Sequence, residues 1–121
     1  MVPPADGRPV RIGLLGCGTV GQAVVRMLSE GGDTIERASG HRLELGPVLV
    51  RDASRPRPGV DPSLLTTDPA RVLEDPSVSV VVEVMGGLDP TLDHLRTALS
   101  RGIPVVTANK QLLARHGPEL L

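Results

Sequence analysis

The sequence predicts an α/β fold, a doubly wound parallel sheet of five or so strands in the order 3-2-1-4-5. Three observations predict it. Strand-like and helix-like stretches alternate along the chain with short links between them. The first strand runs into a glycine turn with the spacing GxGxxG, and a helix pattern follows at once. Further on, Val78 to Val84, VSVVVEV, is almost unbroken β-branched residue, as in a strand covered on both faces.

In chain order, Met1 to Pro9 holds three prolines and a glycine and reads as a flexible leader, residues 1–9, ahead of one domain over residues 10–121. Val10 to Leu15 is the first strand. Gly16, Gly18 and Gly21 then complete the motif within GLLGCGTVG. Gly16 permits the tight turn, Gly18 lets a pyrophosphate approach the backbone, and Gly21 lets helix and strand come close, the arrangement of a Rossmann-like dinucleotide site. Val20, Ala23, Val24, Met27 and Leu28 recur at helical spacing and are expected to face the strand. The amides of Thr19 and Val20, in the first turn, lack partners inside the helix and point at the place where phosphates would lie.

Gly31 and Gly32 end that helix, and polar residues 33–41 give an ambiguous continuation. Leu43 to Val50 is a second strand, with Arg51 and Asp52 at its tip and the loop ASRPRPG after it. At such a tip an acidic residue accepts from the ribose hydroxyls of NAD, whereas an arginine suits the 2′-phosphate of NADP. Arg51 comes first and Arg55 and Arg57 follow, which favours NADP, with NAD also usable. Leu64 to Thr67 is a short third strand, and Asp68-Pro69 caps a brief helix to about Glu74 that Pro76 closes. The VSVVVEV strand ends in Met85-Gly86-Gly87. Asp89-Pro90 caps a helix whose Leu92, Leu95 and Leu99 should face the sheet, with Gly102 as its stop. Ile103 to Thr107 is the last strand, and Asn109 caps a final helix, KQLLARHG.

Composition narrows the function. The 121 residues suffice for one domain, and a net charge of −1 offers no attraction to nucleic acid or membrane surfaces. Aromatic residues are absent, so base stacking on aromatic side chains is excluded. The one cysteine, Cys17, cannot form an internal disulfide, and a packing role is expected for it. No signal-peptide core or apolar span of about 20 residues stands out, so a cytoplasmic location is expected. No metal ligand is proposed.

Twelve of the thirteen basic residues are arginine; the lysine is Lys110, in the first turn of the final helix. A cation there opposes the helix dipole by about 0.3–1 kcal/mol, so stability does not account for it. Lysine is a compact proton donor whose pKa can fall, which suits it to polarise and protonate a carbonyl.

GLLGCGTVG, VRD at 50–52, VVEVMGG at 81–87 and VTANK at 106–110, in this order and spacing, resemble the N-terminal nucleotide-binding part of homoserine dehydrogenase. The resemblance runs from about Arg11 to the last residue. It implies an NAD(P)H-dependent oxidoreductase that interconverts aspartate 4-semialdehyde and homoserine, on the route to threonine, methionine and isoleucine. It further implies that Gly16, Gly18, Thr19, Val20 and Gly21 hold the pyrophosphate, that Arg51 meets the adenosine ribose or its phosphate, and that Gly86 and Gly87 border the nicotinamide. Lys110 would touch cofactor and serve in catalysis. Members of the family continue into a substrate and dimerisation domain, so the substrate residues would lie beyond Leu121. The 121 residues alone would then turn over negligibly, and the full-length protein would be a homodimer or larger. Two other readings stay open: a non-catalytic nucleotide-binding module, and the first domain of another amino-acid oxidoreductase such as an aspartate dehydrogenase.

Overall fold

The structure is a computed structural model that describes residues 8–107 and 109–120. Residues 1–7 of the leader lie outside the described residues. Five parallel strands form one sheet: β1 (Val10–Leu15), β2 (Leu43–Leu49), β3 (Leu65–Thr66), β4 (Val80–Glu83) and β5 (Val105–Thr107). They lie in the order β3-β2-β1-β4-β5, as the sequence predicts. The central strand β1 pairs with β2 on one side and β4 on the other, Leu14 opposite Val48 and Leu15 opposite Glu83. The strand order reverses between β1 and β4, and a parallel sheet opens its ligand crevice at the carboxyl ends of such a pair.

Alternation along β1 sends side chains to two cores. Val10, Ile12 and Leu14 face α1 (Thr19–Glu30), which buries Val25 and Leu28 against them. Leu15, with Leu49 and Val81, faces the other layer. There α3 (Ala70–Leu73) contributes Val72 and Leu73, α4 (Thr91–Ser100) Leu92, Leu95 and Ala98, and α5 (Lys110–Leu120) Leu112. Each fully buried leucine contributes about 1.5–3 kcal/mol, so two helix-covered faces hold the sheet without any aromatic side chain. Gly13, on the second face, makes room for α3, since a β-carbon there would stand 2.8 Å from Val72.

Several local expectations need correction. The buried face of α1 is Gly21, Val25 and Leu28, while Val20 and Met27 are 56% and 54% exposed and Ala23 faces solvent. The close seat at Gly21 decides this rotation, and the stripe drawn through Val20 misses it. The polar stretch after Gly31 is a helix in its own right, α2 (Gly32–Ser39), with no buried side chain. On α4, Ala98 is buried in place of Leu99, which is 37% exposed. Asp89 does not cap α4, which starts after Pro90 with no side-chain cap. Asp68 does cap α3, its carboxylate accepting from the Ala70 amide at 3.0 Å while Pro69 is already helical. Within VSVVVEV the strand proper is Val80–Glu83, flanked by Ser79 and Val84, whose amides still donate to the β1 carbonyls of Arg11 and Leu15, and α5 continues past Gly117 and Pro118.

Candidate functional site: a crevice at the carboxyl edge of the sheet

The glycine turn carries backbone to the carboxyl edge of the sheet, where the strand order reverses between β1 and β4. Gly16 has φ +98°, and a β-carbon there would lie 3.1 Å from the backbone of Met85. The β1 turn and the β4 turn are therefore in contact. A β-carbon on Gly21 would come within 2.8 Å of the Gly16 carbonyl oxygen, so only glycine allows helix and turn to close up. Gly18 differs from both. A β-carbon on it would meet nothing within 4 Å and would project into open space beside the helix start.

Gly18 is also the N-cap of α1, with no side-chain cap and no acidic residue in the first turn. The first intrahelical bond joins the Gln22 amide to the Gly18 carbonyl at 2.9 Å. The amides of Thr19, Val20 and Gly21 consequently have no partner within the helix, and Thr19 and Val20 are exposed. Open space over unpaired amides at the positive end of a helix fits a pyrophosphate. Cys17 points the other way, buried among Leu14, Val25, Val48 and Leu65, and burial pushes its thiol pKa up despite the Arg57 guanidinium.

At the tip of β2, Arg51 is exposed and, among the described residues, has no hydrogen-bond or ion-pair partner. Asp52 is committed to its own loop: one carboxylate oxygen accepts from the Ser54 amide at 3.0 Å and the Ser54 hydroxyl at 2.6 Å. Those bonds hold its carboxyl below the usual range. Arg57 is folded back too, donating to the carbonyls of Asp52 and Arg55 at 2.5 Å, with its Nε buried and unpartnered. Arg55 is exposed. Of the basic residues in this region, Arg51 and Arg55 are thus presented to solvent while Arg57 serves as a loop clamp.

The β4 turn is held by side chains that the motif reading overlooks. Gly86 and Gly87 are exposed and both have φ +75°. Glu83, 1% exposed, accepts from the amides of Met85 at 2.8 Å and Gly86 at 3.0 Å through one oxygen. Its other oxygen accepts from the Thr107 hydroxyl at 2.6 Å. Thr91 donates to the Gly86 carbonyl at 2.9 Å, and the Asn109 amide nitrogen donates to the Gly87 carbonyl at 2.6 Å. Asn109 also caps α5, its oxygen accepting from the Leu112 amide at 3.1 Å. Glu83 has no role among the sequence-based expectations, although a carboxylate at the end of an otherwise apolar strand is a signal that could have marked it; nothing in the sequence marks the partners of Thr91 and Thr107.

Lys110 is the first residue of α5, exposed and adjacent to Asn109. The structure therefore brings the predicted residues to one edge through successive contacts: Gly16 to Met85, Met85 and Gly86 to Glu83, Gly87 to Asn109, and on to Lys110. Arg51 stands at the same edge, two residues after Leu49, whose carbonyl accepts from the Gly16 amide. Two surface hollows lie at the opposite edge, around Arg11 and Asp75 and around Ser79 and Pro104, and neither reaches the glycine turn.

Residues 16–121 match the model of the family described as homoserine dehydrogenase, NAD binding domain. The chain belongs to the homoserine dehydrogenase family. It is similar to the homoserine dehydrogenase of Corynebacterium glutamicum, 46% identical over 114 residues that cover 94% of this chain and 26% of that protein. It is 41% identical to that of Bacillus subtilis over 115 residues, 94% of this chain and 27% of the relative. The crystal structure of Staphylococcus aureus homoserine dehydrogenase at pH 7.5 superposes with a TM-score of 0.84 at 43% identity, over 93% of this chain and 29% of that one. The chain thus spans about a quarter of the length of the curated relatives it matches. Its fold is the NAD-binding domain of these oxidoreductases, and the readings as a non-catalytic module or an aspartate dehydrogenase are not favoured. Among the described residues no helix is long and apolar enough to cross a membrane, and no group of three or more His, Cys, Asp or Glu could hold a metal ion.

Proposed function

We propose that the chain supplies the cofactor half of an enzyme that interconverts aspartate 4-semialdehyde and homoserine, working in the cytoplasm as a homodimer or larger assembly. The observation that supports this is the run of contacts from Gly16 through Met85 and Glu83 and from Gly87 to Asn109, with the glycine turn at one end and Lys110, next to Asn109, at the other. Gly16 to Gly21 would receive the pyrophosphate on the unpaired amides of α1. Gly86 and Gly87, exposed and without side chains, would border the nicotinamide. When bound, that ring supplies a hydride to the aldehyde carbon. Lys110 would donate a hydrogen bond, and then a proton, to the oxygen on which charge develops. Its short flexible ammonium can follow that oxygen as it changes from carbonyl to alcohol.

NADP is the cofactor this reading favours, with NAD also accepted. One oxygen of the exposed Asp52 is engaged with Ser54, and Arg51, exposed beside it at the strand tip, is suited to a 2′-phosphate. Equilibrium titration of the 121-residue chain with NADPH and NADH tests the proposal. NADPH is expected to bind more tightly, and Arg51→Ala to remove most of that difference, about 1.5–3 kcal/mol for a lost charged hydrogen bond. Absence of binding by either dinucleotide would overturn it. Homoserine oxidation by these 121 residues alone would contradict the assignment of the substrate residues to sequence outside them.

A further inference from the structure

We propose that Glu83 is the positioning residue for the nicotinamide side of the crevice, because its one buried carboxylate gathers the Met85 and Gly86 amides and the Thr107 hydroxyl into a single unit. The inference rests on the dinucleotide site proposed above and concerns which part of it this residue controls. Glu83 ends β4, opposite Leu15 on β1 and Thr107 on β5, so it stands where three strands deliver their turns.

The direction of each hydrogen bond is fixed by its neighbours. The Asn109 amide donates to the Thr107 hydroxyl oxygen at 3.0 Å, which leaves the hydroxyl hydrogen to donate to Glu83 at 2.6 Å. The other carboxylate oxygen takes two backbone amides. Every partner is a donor, which only an acceptor group satisfies. Among the described residues Glu83 has no cationic partner, so the amides and the hydroxyl alone offset the cost of burying it. A group held this way is costly to move. It therefore fixes the backbone of Met85 and Gly86, and through Thr107 and Asn109 the first turn of α5, where Lys110 sits, whereas Gly16 is held by its own amide bond to the Leu49 carbonyl. The α1 cradle depends on Gly16, Gly18 and Gly21 and makes no hydrogen bond to Glu83.

This separation predicts a ligand-selective effect. The probes are NADPH and 2′-phospho-ADP-ribose, which shares the adenylate and pyrophosphate but lacks nicotinamide. Glu83→Ala leaves two amides without acceptors and is expected to weaken NADPH binding by about tenfold or more. Affinity for 2′-phospho-ADP-ribose should change by less than about twofold. Glu83→Gln should restore most of the NADPH affinity, since its oxygen can take both amides and its NH₂ can donate to the remaining lone pair of Thr107. Thr107→Val, which deletes one link at nearly constant volume, should show the same selectivity more weakly and carries the test if Glu83→Ala does not fold. Equal weakening of both probes, or of neither, in whichever of these variants folds would overturn the inference while leaving the dinucleotide site intact. Failure of the wild-type chain to bind either probe would overturn both.

Discussion

Gly21 lies so close to the Gly16 carbonyl that a β-carbon on it would approach the oxygen to 2.8 Å, whereas a β-carbon on Gly18, three residues earlier, would touch nothing. The two glycines of one motif therefore serve different ends, and substitution should separate them. Gly21→Ala must displace backbone, which outweighs the helix propensity it gains, and should destabilise by about 1–3 kcal/mol in urea unfolding. Gly18→Ala should change stability by no more than about 1 kcal/mol yet abolish measurable dinucleotide binding by filling the phosphate cradle. Retained binding in Gly18→Ala would show that the ligand lies elsewhere.

Asn109 joins two elements through one side chain, capping α5 with its oxygen and holding the Gly87 carbonyl with its nitrogen. Asn109→Ala loses both and should cost about 1–3 kcal/mol. Asn109→Asp keeps the cap but sets an oxygen against the Gly87 carbonyl. Its expected signature is a smaller loss of stability than in Asn109→Ala with comparable loss of NADPH affinity, read by denaturation and titration on the same samples.

The architecture was legible because its signals are local. β1 is apolar on both faces, the glycine spacing is tied to a strand and a helix, and VVVE is the kind of run that a central parallel strand requires. Fine details were lost where tertiary contact overrides periodicity. The helix stripe Val20, Ala23, Val24, Met27 and Leu28 holds at Leu28 and in part at Val24, but the contact of Gly21 with the Gly16 carbonyl turns Val20 and Met27 outward and Val25 inward. Asp68 and Asp89 both precede proline, yet only Asp68 accepts from a helix amide, and α4 starts without a side-chain cap. At the site, backbone-binding glycines follow from spacing, but the hydrogen bonds of Glu83 depend on strands that are 24 residues apart in sequence at Thr107.

Burial lowers the pKa of His94, on α4, against a smaller opposing effect of Asp93. Folding therefore disfavours the protonated imidazole relative to the unfolded chain, which protonates it near its ordinary value of 6.5. Its contribution to stability is therefore complete above that value and is lost as pH falls through it, levelling off below the folded value. Urea midpoints should fall between about pH 7 and 5, and His94→Gln should flatten that segment. A midpoint that rises on acidification through this window, with the slope removed by the variant, would contradict the sign.

Cys17 is buried in the core under the glycine turn and its thiol is shifted upward, so the reactive thiolate is scarce. Reaction with a thiol reagent at pH 8 should be slow in the folded chain and become fast on unfolding. A native-state rate equal to the unfolded one would place the sulfur at the surface.

The most direct test of the crevice is a titration of ¹⁵N-labelled chain with NADPH followed by amide chemical shifts. Perturbation is expected at Gly16, Gly18, Thr19 and Val20 together with Gly86, Gly87 and Lys110, across the carboxyl edge of the sheet. Shifts confined to the opposite edge, around Arg11, Asp75 and Ser79, or none at saturating NADPH, would contradict the placement of the cofactor.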